Sequence, residues 1–229
     1  MSAAVLFVTG TDTGVGKTHV AAGLVRRLRH QGRQVCGYKP VASGCVATAG
    51  GLRNEDALAL MAESTGKPDY AAVNPVALEP PIAPHLAARR AGLAIELATL
   101  DRGLDALAER YDTIVVEGAG GWSVPINDRN TYADWVAGRQ WPVLLVVGMR
   151  LGCINHALLS AEAIARRTPL LGWVANLIPP MQAEWQDNVD TLRAMMPAPC
   201  WGVVPTGSDL DAVGAALAPS GHMPWADGR

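Results

Sequence analysis

Apolar residues along this chain follow two alternating rhythms. Continuous apolar runs occupy residues 5–8, 35–38, 113–116, 142–147, 170–174 and 200–204, each bounded by glycine, proline or polar residues. Runs apolar on every position fit strands buried on both faces, as in a parallel sheet. Between them, apolar residues recur every three or four positions, which is the spacing of a helix with one buried face. Val20, Leu24, Val25 and Leu28 form one such stripe; Ile95, Leu97, Leu100, Leu104 and Leu107 form another. Further helices are predicted over 57–62, 85–90, 132–138, from the 148–156 loop to 167, and over 182–196. This alternation predicts an α/β fold, a doubly wound and mostly parallel sheet flanked by helices, as a single domain over residues 1–229. Three intervals break the rhythm. Residues 45–53 are rich in Gly, Ala and Thr and predict a mobile loop; residues 74–84 carry four prolines and predict an irregular surface excursion. Beyond Asp209 the Ala-, Gly- and Pro-rich sequence predicts a short helix and a frayed tail, with the domain poorly defined there.

The first strand and helix are joined by the segment GTDTGVGKT, residues 10–18. Strand, glycine loop and helix is the setting of a phosphate-binding loop: small residues let backbone N–H groups curl around phosphate oxygens, and the positive helix end faces the same anion. Lys17 is placed to reach β and γ phosphates, and the Thr18 hydroxyl to sit on Mg²⁺. The spelling is a variant, with Thr11 where the strict motif has glycine and the glycine one residue earlier. The fold expected from this loop is that of a P-loop NTPase.

Two more strand ends carry chemistry. The second delivers Lys39 and Ser43 to the rim beyond the C-terminal strand ends, where open parallel sheets bind ligands. Lys39 is a candidate catalytic cation there. The run at 113–116 ends in Glu117 and then Gly118, Gly120 and Gly121. An acid in this position of a phosphate-loop enzyme approaches the metal, and the glycines let backbone come close to a ligand. Asn54, Glu55 and Asp56 open a helix; Asn54 is a good N-cap and the acids suit the positive helix end, while a carboxylate there also fits a metal ligand.

Bulk properties remove other classes. With 229 residues, 49% hydrophobic, and a formal net charge of −2, the chain has the makings of a large core and no basic surface for nucleic acid. No segment is long and apolar enough to span a membrane, and no basic leader precedes the first apolar run. Cys36, Cys45, Cys153 and Cys200 are scattered without Cys-x-x-Cys spacing and read as free thiols of a cytoplasmic protein.

Taken together, VTGTDTGVGKT, GYKPVASG, LRNEDALAL, VNPVALEPPIAPH, VEGAGGW, ADW, VVGMRLGCINHALL, GWVAN and MPAP resemble the dethiobiotin synthetases of biotin synthesis, in order from Val8 to about Pro205. The resemblance implies a ligase that converts 7,8-diaminononanoate, CO₂ and ATP, with Mg²⁺, into dethiobiotin, ADP and phosphate. It implies that Lys17 holds the β/γ phosphates, that Thr18, Asp56 and Glu117 are the metal ligands, and that Lys39 stabilises the carbamate and the transferring phosphoryl group. Gly14, Val15, Gly16, His19, Gly118, Ala119 and Gly120 join the ATP site. Asn176 matches the adenine contact, Pro205, Thr206 and Gly207 the segment over the base, and Asp209 a ribose contact. Thr13, Ser43 and Gly121 match substrate contacts. Cys153, Ile154 and Asn155 resemble the loop that grips the substrate carboxylate across a homodimer interface. Two departures stand out: Gly14 lies where some members carry glutamate, and the tail beyond Thr206 is unlike theirs. The rival reading is a nucleotide-switch ATPase of the partition and septum-site kind, which shares the fold. Those proteins place a second lysine early in the phosphate loop, where this chain has Thr11-Asp12-Thr13. The amidating enzymes of cobalamin synthesis append a glutaminase domain that this length does not accommodate, and a small-molecule kinase would bring an Arg-rich lid. No nucleic acid or membrane partner is expected.

Overall fold

A computed structural model describes residues 3–219 together with Met223 and Trp225. Its central sheet has six strands, all parallel: β1 (Ala4–Gly10), β2 (Val35–Tyr38), β7 (Thr113–Gly121), β8 (Val143–Gly148), β9 (Leu170–Asn176) and β10 (Cys200–Val204), in the order β10-β9-β8-β1-β7-β2. The chain leaves β1 toward β2 on one side, returns through β7, and then builds β8, β9 and β10 on the other. That reversal around β1 is the topological switch point at which such sheets bind ligands.

The apolar runs explain the layering. Leu6, Phe7 and Val8 of β1, Ile114 to Val116 of β7 and Val143 to Val147 of β8 are completely buried, as central parallel strands require. Each large side chain so buried is worth roughly 1.5–3 kcal/mol of transfer free energy. Helix α1 (Lys17–His30) buries the predicted stripe of Val20, Leu24, Val25 and Leu28, and α5 (Leu97–Ala108) buries Leu100, Leu104 and Leu107. Around them lie α2 (Glu55–Glu63), α4 (Pro84–Arg90), α6 (Tyr132–Gly138), α7 (Cys153–Ala165), α8 (Trp185–Met195) and α9 (Leu210–Ala216), close to the predicted positions, and a single turn, α3 (Tyr70–Val73), that was not expected. Among the described residues no helix is long and apolar enough to cross a membrane. All four cysteines are free, as expected.

Three expectations are corrected or limited. Residues 45–53 form an antiparallel hairpin of β4 (Val46–Thr48) and β5 (Gly51–Arg53) where a loop without strands was expected. Its two-residue turn is held by the Thr48 hydroxyl, which donates to the Gly51 carbonyl at 2.7 Å, and Gly51 supplies a φ of 96°. The strands are mostly exposed, so no in-out alternation marks them in the sequence. The proline-rich interval contains β6 (Val76–Leu78), paired in parallel with β3 (Val41–Ser43); its prolines lie outside the paired residues, which leaves every ladder N–H intact. Most of the predicted frayed tail lies outside the described residues. Within them, Leu217, Met223 and Trp225 are buried, with the Trp225 ring edge-on to Trp201 at a centroid distance of 6.4 Å.

Candidate functional site

The phosphate loop leaves β1 at Gly10 and enters α1 through Gly16, whose φ of 86° is left-handed. No side chain caps α1, and its first turn carries no acid. The contrast with other helices is informative: Asn54 caps α2 through the Asp56 and Ala57 amides, and Thr131 with Asp134 makes a full capping box on α6. The first-turn N–H groups of α1 are thus left for an anion. Inside the loop, Lys17 donates from Nζ to the Asp12 carbonyl at 3.0 Å, and Asp12 Oδ1 accepts from the Thr13 amide at 2.7 Å. Arg150, in the turn after β8, reaches across to the other oxygen of Asp12. Burial, and then the nearby charge of Lys39, lower the pKa of Lys17 to about 8; Glu117, Asp56 and Asp12 pull the other way.

Lys39 follows β2 directly. Its amide donates to the Val73 carbonyl at 2.9 Å, and the Asn74 side chain donates to the Lys39 carbonyl at 2.7 Å, so the backbone that carries this lysine is pinned from two sides. The side chain is buried, and Nζ donates to Glu117 Oε1 at 2.5 Å, to Asp56 Oδ2 at 2.8 Å and to the Gly118 carbonyl at 3.4 Å. Burial works against its charge, but Glu117 and Asp56 outweigh that and raise its pKa above the ordinary lysine value. Asp56 shows the converse: burial raises it, and Lys39 more than offsets this and lowers it. Thr18 donates from Oγ1 to the same Glu117 Oε1 at 2.9 Å. Glu117 is completely buried, yet its Oε2 has no partner among the described residues.

These groups line a cavity of about 730 Å³ at the sheet's C-terminal rim. Of the predicted residues it gathers Thr13, Gly14, Gly16, Lys17, Thr18, His19, Lys39, Ser43, Asp56, Glu117, Ala119 and Gly120. Pro81, Ile82, Ala83 and Val124 also line it without any sequence signal for a site; the proline interval, expected at the surface, forms a cavity wall with its irregular backbone. Asn74 and Asp12 were missed as well, because neither a backbone-pinning amide nor an intra-loop carboxylate has a sequence signature.

The remaining predicted residues lie elsewhere. Val15 is buried beneath the loop. Gly118 packs against Phe7 and Gly121 against the Gly10 carbonyl. Asn176, at the end of β9, is buried and donates from Nδ2 to the Val15 carbonyl at 2.9 Å. Thr206 donates to the Leu177 carbonyl at 2.7 Å beside exposed Pro205 and Gly207, and the Asp209 carboxylate caps α9 at the Ala212 amide. Cys153, Ile154 and Asn155 form the first turn of α7, outside the cavity wall, next to Leu151, which is 89% exposed.

The chemistry of this arrangement is that of charge neutralisation. Two lysines and an uncapped helix end face a space large enough for a polyanion, and a threonine hydroxyl with two carboxylates offers hard oxygen donors. Among the described residues no group of three or more His, Cys, Asp or Glu side chains could hold a metal by itself.

An AAA domain family model matches residues 4–213. The ATP-dependent dethiobiotin synthetase BioD of Pseudomonas paraeruginosa is 52% identical over 212 residues, covering 92% of this chain and 93% of its own. That of Xanthomonas campestris pv. campestris is 47% identical over 211 residues, covering 92% and 94%. Among solved structures, the MinD cell division protein of Aquifex aeolicus superposes with a TM-score of 0.53 at 19% identity, over 95% of this chain and 88% of its own. A ParA family ATPase from Chlorobium tepidum gives 0.55 at 13% identity, over 93% and 90%. At such identities the structural likeness speaks for a P-loop NTPase fold alone, whereas half-identity over nine-tenths of both sequences speaks for kinship. The chain belongs to the ATP-dependent dethiobiotin synthetase family.

Proposed function

We infer that the protein is a ligase that closes 7,8-diaminononanoate, CO₂ and ATP into dethiobiotin, ADP and phosphate. The observation that carries this reading is Lys39, held between Glu117 and Asp56, where Glu117 Oε1 also accepts from Thr18 at the end of the phosphate loop, in a chain of this family. A switch ATPase of the partition and septum-site kind carries its second lysine early in the phosphate loop, where this chain has Thr11-Asp12-Thr13.

The reaction requires one substrate amine to form a bond to CO₂, giving a carbamate and releasing a proton. A carbamate oxygen then attacks the γ-phosphorus as the bond to ADP breaks. The second amine attacks the carbonyl of the resulting carbamic–phosphoric anhydride, phosphate leaves with its electron pair, and the released proton goes to solvent. In the second step an anion approaches a polyanion, so the barrier is dominated by charge repulsion. Lys17 offsets it at the β/γ phosphates and Lys39 at the carbamate and γ-phosphoryl oxygens; one well-placed donor of this kind is worth roughly 3–4 kcal/mol. Thr13, Ser43 and Gly121 orient the diamine, Gly120 stays with the nucleotide, and Asn176 and the 205–207 segment receive the base, with Asp209 near the ribose.

The donor set fits Mg²⁺: Thr18, Asp56 and Glu117 supply oxygen only, Glu117 Oε2 is buried without a partner, and a small hard cation keeps waters and phosphate as its other ligands. Bound there, Mg²⁺ supplies charge neutralisation on the phosphates. We further propose a homodimer in which Cys153, Ile154 and Asn155 of α7 hold the carboxylate of the diamine bound to the other subunit; their position off the cavity wall and the exposed Leu151 beside them support this. The four free cysteines support a reducing, cytoplasmic setting.

The test is phosphate release from Mg·ATP and bicarbonate with and without 7,8-diaminononanoate, with the product identified by mass. Diamine-dependent phosphate accompanied by dethiobiotin is expected. Hydrolysis indifferent to the diamine, or stimulated by DNA or lipid, favours the switch ATPase.

A further inference from the structure

The oxygens that fit a divalent cation are already engaged. Glu117 Oε1 accepts from both Lys39 Nζ at 2.5 Å and Thr18 Oγ1 at 2.9 Å, and Lys39 Nζ also takes Asp56 Oδ2 at 2.8 Å. One ammonium therefore stands at the point where the carboxylates of two elements and the hydroxyl of a third converge. Glu117 is completely buried and Lys39 nearly so, and the space between them has little room for water to screen the pair. An ammonium 2.5 Å from Glu117 Oε1 and a dication at ordinary ligand distance from that atom would stand only about 3–4 Å apart, two like charges in a buried site.

We propose that Lys39 is the internal counter-ion of the metal site: its ammonium occupies the carboxylate cluster in the metal-free enzyme and is displaced into the cavity when a divalent cation takes Glu117 and Asp56. The consequence is an order of events. Lys39 becomes free to meet carbamate and γ-phosphate only once the cation is in place, so nucleotide without metal finds Lys39 still held. The proposal rests on the reading of Thr18, Asp56 and Glu117 as metal ligands. The alternative that the geometry permits is a cation held through the unpartnered Glu117 Oε2, with Lys39 unmoved.

The experiment uses the full chain without nucleotide and follows Mn²⁺ binding by electron paramagnetic resonance. Lys17→Gln is the control, because Lys17 has the same charge and faces the same cavity but bonds to the Asp12 carbonyl, not to the carboxylates. If Lys39 must be displaced, Lys39→Gln and Lys39→Met, both checked for folding by melting, bind Mn²⁺ at least about tenfold more tightly than wild type, and Lys17→Gln gains about threefold at most. Equal gains in the Lys17 and Lys39 variants mean that only the field of a nearby charge is at work, and no gain at all means that nothing was displaced; either overturns the proposal. Glu117→Gln separates the underlying reading: unchanged Mn²⁺ affinity in that variant removes the metal site itself.

A second measurement needs no variant. The chain has three lysines, Lys17, Lys39 and Lys67, so acetic anhydride labelling resolved by peptide mass reports each one. Labelling of Lys39 should rise several-fold when Mn²⁺ is bound, with exposed Lys67 unchanged. Constant Lys39 labelling in a sample whose resonance spectrum shows bound metal is the contrary result.

Discussion

Asn176 and Gly16, 160 residues apart in sequence, share one small volume: a Cβ built on Gly16 would come 2.0 Å from Asn176 Nδ2, and that same nitrogen holds the Val15 carbonyl at 2.9 Å. The last residue of β9 is thereby a buttress of the phosphate loop. Adding a methyl group at Gly16 meets both a left-handed φ of 86° and this side chain. Gly16→Ala is expected to cost about 1–3 kcal/mol in backbone strain alone and to weaken ATP binding at least tenfold. Calorimetric titration with a thermal melt checks both. Asn176→Ala should leave the Val15 carbonyl buried and unpaired, for about 1–3 kcal/mol, with a raised KM for ATP.

Lys17→Ala removes the charge at the β/γ phosphates and should lower kcat/KM on the order of a hundredfold or more. Near-normal turnover would remove Lys17 from the mechanism. Its pKa of about 8 adds a signed pH effect. Above that pH the free enzyme has lost the proton that a triphosphate needs, so binding draws one in and apparent ATP affinity falls as pH rises through about 8 and beyond. Titrations in two buffers of different ionisation enthalpy should show proton uptake at about pH 9 and none from this group at about pH 7.

Lys39→Gln separates catalysis from stability. Turnover should fall on the order of a hundredfold. The variant also leaves Glu117 buried without its ammonium, at a cost of about 3–5 kcal/mol. The sign of the pH dependence follows from the pair. Asp56 is lowered below the ordinary carboxylate value, so its contribution is present above pH 3.8 and lost as pH falls further. Lys39 is raised, so its contribution is present below pH 10.5 and lost as pH climbs through its folded value. The stability gap between wild type and Lys39→Gln should hold across the neutral range and shrink only at those two extremes, as melts against pH can show.

Asn155→Ala should raise KM for the diamine about tenfold, with kcat little changed and melting unaltered, since the side chain is exposed at the start of α7. An unaltered KM would count against a carboxylate-binding turn at the start of α7.

How much of this was legible beforehand follows from what local sequence can encode. The phosphate loop, Lys39 and Glu117 were readable because each follows a fully buried apolar run, and strand ends in a parallel sheet converge on one rim. The β4–β5 hairpin was not, since its residues are mostly exposed and show no alternation. β3 and β6 escaped because three-residue strands, each entered directly from a proline, carry too little pattern. Asp56 was ambiguous for a physical reason: Asn54 does cap α2 through the Asp56 amide, while the Asp56 carboxylate meets Lys39 from a distant strand end, a contact that spacing along α2 cannot encode. Asn74, which pins the Lys39 backbone, and the Asp12–Arg150 pair across the loop depend on tertiary contact alone.

The central claim, that a carbamate oxygen attacks the γ-phosphorus in this cavity, is tested most directly by supplying ¹⁸O-labelled bicarbonate with Mg·ATP and 7,8-diaminononanoate in a single turnover, before label exchanges with water. The phosphate released should carry one ¹⁸O from bicarbonate, and the dethiobiotin formed should keep one in its urea carbonyl. Phosphate that carries oxygen from water only, at a rate indifferent to the diamine, would mean that the cavity hydrolyses nucleotide and makes no cyclic urea.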